Sequence, residues 1–278
     1  MKKETVSDGK ALAWLYETMP GRVVLTFLTW PPLSKAVGRF LDCGVSKLLI
    51  PPFIRKNQIC MSDYQSQRYH SFNDFFTRKI KPWRRPVCKD PNILIAPCDG
   101  LLSAYRMTRD LVIPVKQSQF SIERLLNQQD LAKEFEDGIC LVYRLCVQHY
   151  HRYCYLDDGT KGGNHFIPGK LHTVRPIALL KKPVFTENSR EYTVLRTKNF
   201  GKVIQVEVGA MLVGKIKNLH GDSSYERGQE KGMFLYGGST VIVLLKKDRV
   251  VLPEEFFSST ERGEEIPVCM GQKIGVKA

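Results

Sequence analysis

The spacing of hydrophobic positions changes part-way along this chain. Residues 11–54 carry apolar segments broken by prolines, at 11–19, 23–30 and 33–50, with Pro31-Pro32 and Pro51-Pro52 as punctuation. Leu33, Val37, Phe40, Leu41, Leu48 and Leu49 recur near helical spacing, and Lys35, Arg39 and Lys47 fall between them. This pattern predicts short amphipathic helices. The longest uninterrupted apolar run, residues 23–30, is far below the ~20 residues a membrane-spanning helix needs. Such helices suit a lipid headgroup layer or the face of a packed core, and the sequence supports both, on opposite faces.

Residues 56–69 are polar and read as the passage into a main domain. There Phe72, Phe75 and Phe76 predict an aromatic helix face for core packing, followed by Arg78, Lys79, Lys81, Arg84 and Arg85. Beyond residue 92 the texture becomes short apolar runs with turn punctuation, which predicts strands at 93–95, 101–105, 111–115, 139–145, 192–195, 203–208 and 241–245. Helices are expected at 121–127 and 130–135. The fold class that follows is α+β: a mostly antiparallel β core, sandwich- or barrel-like, with peripheral helices. Residues 1–60 form an amino-terminal helical membrane-associating segment, and residues 61–278 the main domain.

With 278 residues and 43% hydrophobic content, the chain can bury a full core. Lys and Arg outnumber Asp and Glu by 42 − 28 = 14, so its positive field attracts polyanions. No zinc-finger spacing or RNA-binding signature accompanies those charges, which favours an anionic bilayer over nucleic acid. The eight cysteines form no CxxC pair, as expected for reduced thiols facing a cytosol. His70, His165, His172 and His220 show no ligand spacing, and no metal ion is expected. The first residues, Met1-Lys2-Lys3-Glu4, have no apolar signal core directly behind them, so secretion is not expected.

The most informative segment is Tyr236-Gly237-Gly238-Ser239-Thr240, running straight into the apolar residues 241–245. Two glycines allow backbone angles closed to other residues. The Ser239 oxygen can then approach the Gly238 carbonyl and convert the amide to an ester. Elimination from that ester cuts the chain between Gly238 and Ser239, and loss of ammonia leaves a pyruvoyl group on the new terminus. An isolated Gly-Gly-Ser-Thr is also ordinary turn chemistry, so the surroundings decide.

Residues 227–240 resemble the processing segment of the phosphatidylserine decarboxylases, a pyruvoyl enzyme family. Further segments agree in the family's order. These are Phe72-Asn73-Asp74-Phe75-Phe76-Thr77-Arg78 with Arg85-Pro86, Pro97-Cys98-Asp99-Gly100, Tyr150-His151-Arg152, Glu187-Asn188-Ser189-Arg190, and residues 208–214. The resemblance implies that 61–278 is a catalytic domain cut into a long chain, 1–238, and a short pyruvoyl chain, 239–278, which stay associated. It implies a carboxy-lyase that converts phosphatidylserine in an anionic membrane to phosphatidylethanolamine and carbon dioxide, through a Schiff base on the pyruvoyl group made from Ser239. It further implies a homodimer held peripherally at the cytoplasmic face of the cell membrane, with no nucleic-acid partner.

Maturation needs a base near the Ser239 hydroxyl and a carboxylate to orient it. Asp99 resembles the carboxylate of the family's Pro-x-Asp-Gly turn, and His151 the first histidine of its Tyr-His-Arg-x-His element. The family's second histidine, usually placed in the self-processing triad, aligns with Cys154, whose thiol with a pKa of about 8.5 is mostly protonated at neutrality. Either His151 serves both steps, or His149 or another histidine moves in, or processing fails; His151 is favoured. Cys154, His149 and Gly237 are expected to line the site, and Lys116 and Arg190 are candidates for a phosphate or carboxylate. Two other readings remain at this level: a pyruvoyl decarboxylase of another amino-acid-headed substrate, and an unprocessed membrane-binding module on the same fold.

Overall fold

The structure is a computed structural model that describes residues 10–108, 110, 112–115, 118–210, 215–237 and 239–278. Gly238 on the expected cleavage bond, Lys116, residues 211–214 of the 208–214 motif and residues 1–4 lie outside the described residues.

The amino-terminal segment forms four helices, α1 (Lys10–Glu17), α2 (Met19–Leu28), α3 (Pro31–Asp42) and α4 (Ile50–Asn57). Its prolines start helices as well as separating them: α2, α3 and α4 each carry Pro in their first turn. There the missing N–H costs nothing and the fixed φ is already helical. The segment splits its apolar residues between two destinations. Tyr16 and Leu25 are buried in the main core, while Leu41, with Val37, Ile50, Phe53 and Ile54, packs on the aromatic cluster of α5 (Phe72–Phe76). Trp14, Phe27, Trp30, Phe40 and Leu48 are exposed. No helix among the described residues is long and apolar enough to cross a membrane.

The strands that position the site are β1 (Gly100–Arg106), β2 (Ile139–Leu145), β3 (Arg152–Cys154), β4 (Gly159–Ile167), β5 (Arg190–Thr197) and β6 (Gly201–Gly209). They continue with β7 (Ile216–Asn218), β8 (Ser223–Tyr225), β9 (Glu230–Phe234), β10 (Ser239–Leu245) and β11 (Ile266–Val268). Eight of them make one sheet in the order β8-β4-β5-β6-β10-β2-β1-β11, with every neighbouring pair antiparallel. A smaller antiparallel sheet has the order β7-β9-β3. The α+β class and the antiparallel core stand, but the barrel-like alternative is corrected, because the large sheet is open. Its edge strands β8 and β11, three residues each, are the two ends of the order and do not pair with one another among the described residues.

Side chains alternate between the two faces of the large sheet. From β10, Ile242 and Leu244 enter a core covered by helices, whereas Val241, Val243 and Leu245 enter a second core that also holds Tyr153, Cys154 and Phe234 of the small sheet. Ser239 is in phase with the second set. Its hydroxyl therefore faces the small sheet, and it opens the strand that runs through the middle of the large one.

Candidate active site

Ser239 is paired on both sides, with Leu145 of β2 and Gly209 of β6. It is 1% exposed, and its Oγ has no hydrogen-bond partner among the described residues. Burying a hydroxyl without a hydrogen-bond partner is costly, which singles Ser239 out as a candidate. Gly237, two residues earlier, has φ of 138°, a conformation that L side chains rarely adopt. The approach to Ser239 is fixed from another direction: the Asn73 side-chain oxygen accepts the Tyr236 N–H at 3.1 Å, and its amide nitrogen donates to Asp42 at 2.8 Å. Asn73 is placed by α5, whose start is capped reciprocally: the Ser71 hydroxyl accepts from Asp74 N, and the Asp74 carboxylate accepts from His70 N.

His151 lies between the end of β2 and β3. Its backbone carbonyl accepts the Phe234 N–H at 2.9 Å, which ties it to the strand leading into Tyr236 and Gly237. The ring is 1% exposed and packs against Phe76 at 4.2 Å between centroids. Its Nδ1 lies 2.9 Å from the His149 carbonyl oxygen. A carbonyl only accepts, so the proton sits on Nδ1 and Nε2 carries the free lone pair. That Nε2 is buried without a partner among the described residues. Burial lowers the imidazole pKa to about 3, which keeps the ring neutral and able to accept a proton at physiological pH. The His149 ring is engaged elsewhere, its Nδ1 accepting the Cys146 N–H at 3.0 Å.

Asp99 sits just ahead of β1. In the sheet's register Leu101 opposes Arg144, and Arg144 opposes Thr240, so Asp99 and Ser239 occupy the same end of the sheet, two strand spacings or about 10 Å apart. Both carboxylate oxygens are held by the Arg85 guanidinium, and Oδ1 also accepts the Met270 N–H at 2.8 Å. The hydrogen bond to Asp99 holds the Arg85 pKa above its ordinary value. Among the described residues no hydrogen bond joins Asp99 to His151, whose Nδ1 is engaged by the His149 carbonyl. Arg85 stands out in the sequence only as part of a motif, and nothing in the spacing signals its grip on Asp99.

Cys154 is buried beside this cluster, its N–H donating to the Pro97 carbonyl at 2.8 Å. Burial pushes its thiol pKa up to about 12, so no thiolate is present near neutrality. Tyr143, in phase with Leu145 on the Ser239 face, has a fully buried hydroxyl without a partner among the described residues, and its pKa is raised by burial and by the Cys98 and Cys154 thiols. Sequence reasoning missed it, because a tyrosine in an apolar strand looks like ordinary core. Asn188 bridges the Gly209 carbonyl at 2.7 Å and the His172 backbone, pinning the strand end that pairs with Ser239. Arg190 is excluded as a phosphate ligand, since its guanidinium is spent on the carbonyls of Leu125, Thr186, Asn188 and Arg124.

The sequence is similar to that of known proteins. The family described as phosphatidylserine decarboxylase matches residues 72–276. Among similar proteins, the phosphatidylserine decarboxylase proenzyme 2 of Clostridium acetobutylicum is 44% identical over 265 residues, covering 95% of this chain and 91% of its own. The phosphatidylserine decarboxylase proenzyme of Clostridium botulinum is 39% identical over 280 residues, covering 99% and 95%, and that of Clostridium beijerinckii is 36% identical over 282 residues, covering 99% and 95%. Matches of this extent establish that the chain belongs to the phosphatidylserine decarboxylase family.

Proposed function

We propose that this protein is a self-cleaving, pyruvoyl-dependent phosphatidylserine decarboxylase. The observation that carries the reading is the Ser239 hydroxyl, buried and without a partner among the described residues, directly after a glycine pair. The Ser239 oxygen attacks the carbonyl carbon of residue 238, its proton passing to the His151 Nε2 lone pair and from there to the peptide nitrogen, which leaves as the free amine of Ser239 to give an ester. Loss of the Ser239 α-proton and expulsion of the Gly238 carboxylate cut the chain. The dehydroalanine that remains takes up water and releases ammonia, leaving a pyruvoyl group at residue 239. The family's proenzyme names and the orphaned, neutral His151 both support this sequence of steps, and Cys154, held protonated by burial, is not its base.

The residues present suit such a group. When formed, it supplies a ketone that captures the substrate amine and takes up the electrons released with carbon dioxide. The protein excludes water with Phe76, Tyr143 and Phe234, and the His151 Nε2 lone pair takes up a proton from the substrate ammonium and returns it to the substrate carbon. Asp99, locked by Arg85 and Met270 N–H, places negative charge at the rim of the site and orients the turn from which β1 departs.

The amino-terminal helices hold the enzyme peripherally on an anionic bilayer at the cytoplasmic face. Among the described residues, ten of the fourteen large hydrophobic side chains that stay exposed lie between Trp14 and Leu49, and the net charge of +14 adds electrostatic attraction. A homodimer of cleaved protomers completes the reading. Intact-mass measurement after purification tests it, with two chains expected: residues 1–238 and a fragment of 278 − 238 = 40 residues with a pyruvoyl end. Carbon dioxide should then be released from phosphatidylserine vesicles and not from free serine. A single full-length mass in a preparation that releases carbon dioxide would remove the pyruvoyl mechanism.

A further inference from the structure

A groove of about 720 Å³ runs between α3 and the large sheet, a size suited to a small-molecule headgroup. Its α3 side presents Ser34, Lys35 and Arg39, and Lys215 faces them from the other side. Lys35 and Arg39 are four residues apart on one helical face; neither they nor Lys215 have a carboxylate partner among the described residues. Against these three cations the groove sets two acids, Asp42 and Glu191, each accepting an amide hydrogen bond at 2.8 Å, from Asn73 and Asn218, so one net positive charge remains. Ser34 is 5% exposed, and its Oγ has no partner among the described residues. It is a buried donor in the wall of a cationic groove.

Two residues of the groove wall belong to, or hold, the segment that leads into Ser239. Asn73 and Leu235 line the groove; Asn73 holds the Tyr236 N–H, and the Leu235 N–H donates to the Lys215 carbonyl at 3.1 Å. Its far wall includes Phe166, 61% exposed. We propose that this groove seats the glycerophosphate of the phospholipid substrate, an inference that rests on the decarboxylase reading. The phosphate is bound by Lys35, Arg39 and Lys215 with the Ser34 hydroxyl donating, and the first methylenes of an acyl chain lie on Phe166. The serine end then projects past Asn73 towards residue 239. Guanidinium and ammonium groups converging on one pocket match a phosphodiester.

The test uses the mature enzyme in neutral detergent micelles, so that general attraction to a charged surface does not contribute. Phosphatidylserine is compared with a serine ether of diacylglycerol that lacks the phosphate. Lys35→Ala/Arg39→Ala should raise KM for phosphatidylserine at least about tenfold, the loss expected for one charge-assisted hydrogen bond, with a much smaller change in kcat. On the phosphate-free lipid, variant and wild type should agree, and Arg39→Lys should recover part of the affinity. Lys215→Ala, on a different element, repeats the test if α3 is disturbed. Equal losses on both lipids, or unchanged KM on phosphatidylserine, would overturn the groove assignment while leaving the decarboxylase reading intact. A wild type that neither cleaves nor releases carbon dioxide would remove both.

Discussion

The Arg85 guanidinium closes on both oxygens of the Asp99 carboxylate, with Nε 2.6 Å from Oδ1, and the pair is largely buried. Removing one member of such a pair leaves the other charge in a poorly solvated place. Arg85→Ala should cost about 3 kcal/mol, measured by urea unfolding in a Ser239→Ala background where no cleavage intervenes. Arg85→Met combined with Asp99→Asn should cost less than Arg85→Ala alone. A single-variant loss no larger than that of an exposed pair would show that solvent reaches Asp99.

His151 gives a pH dependence with a definite sign. In the unfolded chain its imidazole titrates near 6.5, and in the fold burial holds it at about 3. Between those values the unfolded state binds the extra proton, so the stability His151 allows is complete above pH 6.5 and is lost as pH falls towards 3. From pH 7 to pH 4, Ser239→Ala protein should lose on the order of 3 kcal/mol more than the same protein carrying His151→Gln. Parallel stability curves would mean that the ring accepts its proton inside the fold.

Ser239→Ala separates chemistry from packing. The hydroxyl makes no hydrogen bond among the described residues, so its removal should change unfolding free energy by less than about 1 kcal/mol, or stabilise the protein. The variant should nonetheless remain one chain by mass and release no carbon dioxide. Large destabilisation would show that Oγ has a structural partner, and retained activity would exclude residue 239 as the reacting group.

The exposed aromatic residues of the amino-terminal helices have no role in the core. Phe27→Ser with Trp30→Ser should lower binding to anionic vesicles by roughly a hundredfold, since each large apolar side chain contributes about 1.5–3 kcal/mol on burial. Cleavage should proceed at the wild-type rate. Vesicle co-sedimentation and a time course of chain cleavage read the two effects separately. Undiminished binding would assign these residues to contact with another protein surface.

Much of this molecule is legible in its residues. The segments 139–145, 203–208 and 241–245 appear as the three adjacent central strands, legible from their density of branched and aromatic side chains although Arg144, Gln205 and Glu207 are buried within them. The edges are not legible in the same way. β4 contains Gly159, Gly162 and Gly163 among polar residues, and its register against β5 shifts between Lys161 and Asn164, so a bulged strand resembles a loop. The same applies to β9, where Lys231 and Glu230 hide a strand. Lys231 is fully buried and donates to Glu207 and Asn218 at 2.8 Å each, a pairing between strands far apart in sequence.

The site is partly legible for a related reason. Ordered motifs single out Asp99, His151 and Ser239 as candidates. Partners set by the tertiary fold are invisible in the sequence: Arg85 on Asp99, Phe76 on His151 and Asn73 on Tyr236. The expected role of Arg190 as an anion ligand fails because a guanidinium can equally collect backbone carbonyls where two loops meet.

The position of Ser239 at the head of a strand flanked on both sides has a consequence for assembly. Scission ahead of that residue would leave a fragment whose opening strand is interleaved between two strands of the other piece. Before the cut, register is found within one molecule; afterwards, a denatured sample must find it by collision of two separate peptides. The fold would then be a single-use mould, able to shape its product once as an intact precursor, and heat or urea treatment of the mature enzyme would be far harder to reverse than that of the uncut Ser239→Ala chain.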